Sequence, residues 1–157
     1  MQGFKVPIME RSGSEVIKES DYFMGRDVKY ASDLTDEIES NATELLGRVN
    51  DLLAALGLPD KEVRSGWRPQ GVNDATANSA KTSNHLTGKA VDLSDNDRSL
   101  TKAILREPEV LAQFDLYMED CQWTPTWVHL QSVPPRSGRR IYIPSSAAPL
   151  APLPDLS

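Results

Sequence analysis

The sequence predicts an α+β fold, a small antiparallel sheet with helices packed on one face. Two observations carry this expectation. Across residues 35–56 apolar side chains recur at three- and four-residue steps, the period of an amphipathic helix. Further on, short runs such as 116–119 and 127–131 alternate or cluster apolar residues between turn formers, which reads as strands. At 157 residues the chain is long enough to bury one sizeable core.

The elements follow in order. Residues 1–30 are weakly periodic and broken by Gly3, Pro7, Gly13 and Gly25. They are expected to form an arm that wraps the domain or meets a partner. A short helix is expected over 15–24, with Val16, Ile17 and Phe23 as its apolar positions. The 35–56 helix places Ile38, Ala42, Leu45, Leu46, Val49, Leu52, Leu53 and Leu56 on one stripe. Thr35 caps its start, Asp36 and Glu37 suit the positive end of its dipole, and Gly57 with Pro59 stops it. Residues 62–67 read as a strand that delivers Arg68 at its end. Residues 69–82, rich in Gly, Asn, Ala, Ser and Thr, are expected to be a loop that closes over substrate, since a loop this long in a compact domain is often functional. Residues 95–115 return to helix, with Leu100, Ile104 and Leu105 on one face and Pro108 breaking or restarting it. After the two strands, joined through Thr124-Pro125, a turn at Val133-Pro134-Pro135 and Ser137-Gly138 leads into a last strand over 140–143. Beyond it Ser, Ala, Pro and Leu dominate and cannot make a core. The expected division is therefore an arm (1–30), a domain (31–144) and a tail (145–157).

Seventeen basic residues against 23 acidic ones leave a net charge of −6. This balance argues against a chain that grips nucleic acid or an anionic membrane. Arg136, Arg139 and Arg140 could line a local basic groove or sit in a solvated turn. No run reaches the length of a membrane span. The first eleven residues lack the pattern of a secretory signal, so the expected location is the cytoplasm in which the chain is made. The single cysteine, Cys121, allows no internal disulfide and reads as a plain small side chain.

Only two histidines occur, His85 and His129. With Asp92 they make a candidate set of three zinc ligands, because imidazole nitrogens and a carboxylate oxygen suit that ion. Gly88 allows the backbone to turn between His85 and Asp92. Val91 and Leu93 flank Asp92, which puts its carboxylate on the opposite strand face, where a buried charge needs a partner. Spacing alone leaves both a metal site and a chance pairing open.

Ser83, His85, Gly88, Ala90 and Asp92 form the pattern Ser-x-His-x-x-Gly-x-Ala-x-Asp. Upstream stands Ser65-Gly66-Trp67-Arg68-Pro69, and downstream Trp127-Val128-His129. In this order the three segments resemble the D-alanyl-D-alanine metallopeptidase family, over about residues 63–144. That family includes D-alanyl-D-alanine carboxypeptidases and phage L-alanyl-D-glutamate endopeptidases, and its superfamily includes the hedgehog signalling domain. The resemblance implies a Zn²⁺ cofactor held by His85, Asp92 and His129. It implies that Arg68 binds a substrate carboxylate or steadies an oxyanion, with a structural ion pair as the other reading. Ser83 would hold substrate or a ligand.

One position departs from the family, which usually carries a glutamate three residues before the last histidine. Here that residue is Thr126, whose hydroxyl is too weak an acid to shuttle protons near neutrality. An antiparallel hairpin centred on Thr124 places Glu119 directly opposite His129, so that both share a sheet face. Glu119 is thus the candidate general base, or else a solvated carboxylate or a partner of a histidine ligand. A register one residue different brings Asp120 there instead.

The function so implied is a zinc peptidase that cuts peptidoglycan stem peptides next to a D-amino acid. A bacteriophage lysis enzyme or virion-borne wall enzyme is the expected setting. Other virion proteins are the expected partners of the arm and tail. The alternative is a virion structural protein that keeps the fold without turnover.

Overall fold

The computed structural model describes residues 17–76 and 83–144. Helix α1 (Glu19–Phe23) and helix α2 (Arg26–Lys29) come first, separated by Met24 and Gly25 in left-handed conformations. The helix expected from residue 15 thus begins at Glu19, and its first two positions lie outside the described residues. Ile17, Tyr22 and Phe23 are buried in the main core. Three residues of the expected arm thus contribute to the core, while α2 buries none of its own.

Helix α3 (Asp36–Leu56) runs as its pattern requires. Thr35 Oγ1 accepts from the Ile38 N–H at 3.1 Å, and Gly57, at φ 68°, ends the helix by donating to the Leu53 and Ala54 carbonyls. Ala42, Leu45, Leu46, Val49, Leu52 and Leu53 are buried, and Ile38 and Leu56 pack partly against them. Asn50 is also buried on α3. Its amide clamps the Ile17 backbone through two hydrogen bonds, of 2.9 Å and 3.0 Å.

Strand β1 (Val63–Ser65) precedes a short helix, α4 (Gln70–Ala75). The pattern over this stretch predicts loop, because α4 has no apolar stripe. It is held instead by polar bonds, such as Gln70 Nε2 to Asp74 Oδ1 at 2.7 Å. The rest of the expected lid lies outside the described residues. Strand β2 (Ala90–Ser94) leads to helices α5 (Ser99–Arg106) and α6 (Glu109–Gln113), divided by Pro108. Leu100 and Ile104 are buried as expected, but Leu105 is 41% exposed and Thr101 is buried in its place. Asp95, fully buried, ties this corner together. It accepts from the Leu100 and Thr101 N–H groups, from Thr101 Oγ1 at 2.6 Å and from Lys61 Nζ at 2.6 Å.

Strands β3 (Tyr117–Glu119), β4 (Trp127–Gln131) and β5 (Ile141–Tyr142) complete a five-stranded sheet in the order β1-β2-β4-β3-β5. The fold class is the α+β class expected, with one difference. Strand β5 runs parallel to β3, because the turn after β4 carries the chain back across the sheet end, so the sheet is mixed. Val91, Leu93, Met118, Val128 and Leu130 lie in the core with α3. Since strand neighbours alternate faces, Asp92, Glu119, His129 and Gln131 look the other way.

Candidate metal centre

His85 is set by backbone chemistry before any ligand is considered. It lies in a single 3₁₀ turn (Asn84–Thr87), where Ser83 Oγ accepts from the His85 N–H at 3.1 Å. Gly88 closes the turn at φ 77°, and an added Cβ there would stand 2.7 Å from the Ile38 carbonyl oxygen. The turn is stitched to the segment after β1 by three bonds. Arg68 N donates to the His85 carbonyl at 3.1 Å, Trp67 Nε1 donates to the Leu86 carbonyl at 3.1 Å, and His85 Nδ1 donates to the Gly66 carbonyl at 2.8 Å. A carbonyl can only accept, so His85 carries its hydrogen on Nδ1 and turns the Nε2 lone pair inward. That Nε2 is buried, has no hydrogen-bond partner and lies 3.4 Å from Asp92 Oδ2.

Asp92 and His129 are paired directly across β2 and β4, so their side chains share one face. His129 Nδ1 lies 2.8 Å from Asp92 Oδ1. His85, Asp92 and His129 each offer a ligand atom, all within 4.8 Å of one another. Burial raises the Asp92 pKa, but the two histidines outweigh it and hold the carboxyl well below the usual range. Burial lowers the His85 pKa despite Asp92, which favours the neutral ring that a metal needs. His129 is also lowered by burial, but its bond to Asp92 prevails and raises it.

The other expected residues fall around this cluster. The β3–β4 register pairs Tyr117 with Gln131 and Met118 with Leu130. Carried one step further, it sets Glu119 rather than Asp120 across from His129. Burial raises the Glu119 pKa, with His129 opposing and Asp92 reinforcing the shift. Arg68 is 7% exposed and its Nε has no hydrogen-bond partner. No ion pair among the described residues involves it, while burial lowers its pKa and the Asp92 charge opposes that shift. Ser83 acts on the backbone of His85. Thr126 Oγ1 accepts from Arg64 Nη1 at 2.8 Å, and the Arg64 guanidinium lies over the Trp127 ring. Arg140 pairs with Asp115 and stacks on Tyr117. Cys121 is a free, half-buried thiol.

Sequence reasoning missed Gly66, Gln131 and Tyr142. Gln131 was within reach, since it lies two residues after His129 and so on the same strand face. Gly66 stands in a segment that carries the resemblance, but its role runs through a backbone carbonyl and that of Tyr142 through a parallel pairing, and neither role can be read from the sequence.

The family described as Peptidase M15 matches residues 23–131, a span that runs from the end of α1 to the end of β4. The chain belongs to the peptidase M15 family. Neither a curated protein nor a solved structure matched it. M15 proteins are metallopeptidases, and the donor set here fits a metal of that role. Two nitrogens and one carboxylate oxygen suit zinc and leave a coordination position open. The partnerless His85 Nε2 is explained by a ligand that takes its lone pair.

Proposed function

We propose that this M15 peptidase is zinc-dependent and cuts peptidoglycan stem peptides beside a D-amino acid. The carrying observation is the buried His85–Asp92–His129 cluster, with both imidazoles oriented by bonds on their outer nitrogens. When bound there, zinc supplies Lewis-acid chemistry toward a carbonyl and a water. The protein's own residues do the rest. Glu119, across from His129 on the same face, takes the proton of the attacking water and returns it to the leaving amine. Arg68 meets a carboxylate of the substrate with its planar fork, and that contact sets which bond is presented. Asp92 keeps its charge, and the buried surroundings of His85 keep water from competing for its ring.

The test is incubation of zinc-loaded protein with purified peptidoglycan and mass analysis of the fragments. Release of D-alanine or of split stem peptides supports the reading, and His85→Ala should abolish both release and near-stoichiometric zinc. Unchanged fragments together with absent zinc would overturn it. Thr126 at the family's usual glutamate position favours a second reading, a virion protein that keeps the site without turnover. A parent that binds zinc but cuts nothing, and gains activity in Thr126→Glu, would decide for that reading. A bacteriophage setting is part of the proposal and accords with the motif resemblance.

A further inference from the structure

His129 and His85 are oriented by different means. For His85 the orienting group is a backbone carbonyl and cannot turn around. For His129 it is the Gln131 side chain, whose amide has two ends. Gln131 Oε1 lies 2.8 Å from His129 Nε2 and 2.5 Å from the Tyr142 hydroxyl, and Gln131 Nε2 lies 2.7 Å from the Val133 carbonyl oxygen. Val133 offers only an acceptor there, so the amide nitrogen must face it and Oε1 must face the other way. Oε1 can only accept, so Tyr142 and His129 both donate. The hydrogen on His129 Nε2 therefore points away from the cluster, and Nδ1 is the atom turned toward Asp92 Oδ1.

A turned amide would reverse this. Its NH₂ would face His129 Nε2, which would have to accept, leaving the neutral ring's one hydrogen on Nδ1, where a metal needs a lone pair. Turning would also set an oxygen against the Val133 carbonyl and an NH₂ against the Tyr142 hydroxyl hydrogen. Gln131 is 4% exposed and Tyr142 9% exposed, so water does not readily repair those losses. Tyr142 comes from β5 and Val133 from the turn after β4. Two separate segments thus hold one amide in one orientation.

We propose that Gln131, locked by Tyr142 and Val133, is a positioning residue that selects Nδ1 of His129 as the metal-binding atom. The inference rests on the zinc reading above. Partners of this kind are typically worth about 10–100-fold in metal affinity.

The test uses the full chain, zinc and ¹⁵N-histidine labelling. Long-range ¹⁵N–¹H spectra of the zinc-loaded parent should show His129 protonated at Nε2 and zinc-bound at Nδ1. Chelator competition should show Gln131→Met binding zinc about 10–100-fold more weakly. Gln131→Glu, which still accepts from both donors but sets an oxygen against the Val133 carbonyl, should lose less zinc affinity than Gln131→Met. Tyr142→Phe should weaken zinc to a smaller degree and broaden or double the His129 Nε2–H signal as the amide turns. Zinc-free melting curves identify variants that fail to fold. Should Gln131→Met fail, the parent spectrum and Tyr142→Phe decide. The proposal is overturned if Gln131→Met binds zinc as tightly as the parent, if Gln131→Glu loses as much as Gln131→Met, or if the parent is bound through His129 Nε2. A parent that binds no zinc overturns the zinc reading, and this inference with it. A parent that binds zinc through His85 while Gln131→Met is unaffected overturns this inference alone.

Discussion

Glu119→Gln preserves the shape of the side chain across from His129 and removes its ability to take a proton. The expected result is a loss of about 10²–10⁴ in turnover of peptidoglycan, with zinc stoichiometry unchanged; equal turnover by the variant would remove Glu119 from the reaction. Arg68→Lys asks a different question. Lysine keeps a charge but lacks the two parallel donors, so activity should fall at least about tenfold while zinc content and melting temperature stay near those of the parent. A variant that melts early yet turns over normally would return Arg68 to a structural role. At this scale the sequence was informative because histidines are scarce: with two in the whole chain, each motif could be matched to one ring. The β3–β4 register, which pairs Tyr117 with Gln131 and Met118 with Leu130, was legible from hairpin arithmetic around Thr124. Gln131 was legible only as a side chain on the same strand face as His129; which end of its amide faces the ring is something spacing does not record.

A glycine's close packing against a neighbouring element can matter more than its freedom to turn. At Gly66 an added Cβ would fall 1.9 Å from the Tyr22 carbonyl oxygen and 2.8 Å from its ring. Backbone must move to admit it, and the Gly66 carbonyl that orients His85 moves too. Gly66→Ala should therefore cost about 3 kcal/mol, lower the melting temperature by about 6–12 °C and weaken zinc binding. Gly71→Ala in α4, where a Cβ meets nothing within 4 Å, is the control and should be neutral or slightly stabilising; similar losses in both variants would remove Tyr22 contact as the cause. Helix α3 was legible end to end, since period, cap and stop signals agree. Helix α4 was hidden because polar bonds rather than an apolar stripe hold it. The direction of β5 was hidden because two residues cannot specify a partner strand.

Acid stability belongs to the whole molecule, and Asp95 is positioned to shape it. Burial alone would raise its pKa, but Lys61, the Thr101 hydroxyl and the two α5 N–H groups together hold it below the usual carboxylate value. The stability it contributes is thus present above about pH 4, the value of an unfolded aspartate, and is lost as pH falls through the lower folded value. Asp95→Asn should lower stability by about 3 kcal/mol near neutrality. The gap between variant and parent should shrink below about pH 4, because the asparagine does not titrate. Melting temperatures followed across pH test this, and a gap independent of pH would contradict it. The Asn50 clamp on Ile17, the Tyr22 hydroxyl bonded to the Ala90 carbonyl at 2.9 Å and the wedge of Tyr22 against Gly66 have a practical side. They make the centre a poor cassette. A designer who lifted residues 31–144 as a portable module would carry all three ligands and leave behind the Tyr22 side chain that backs the strand of one and the glycine beside another. Any transplant should begin no later than Ile17.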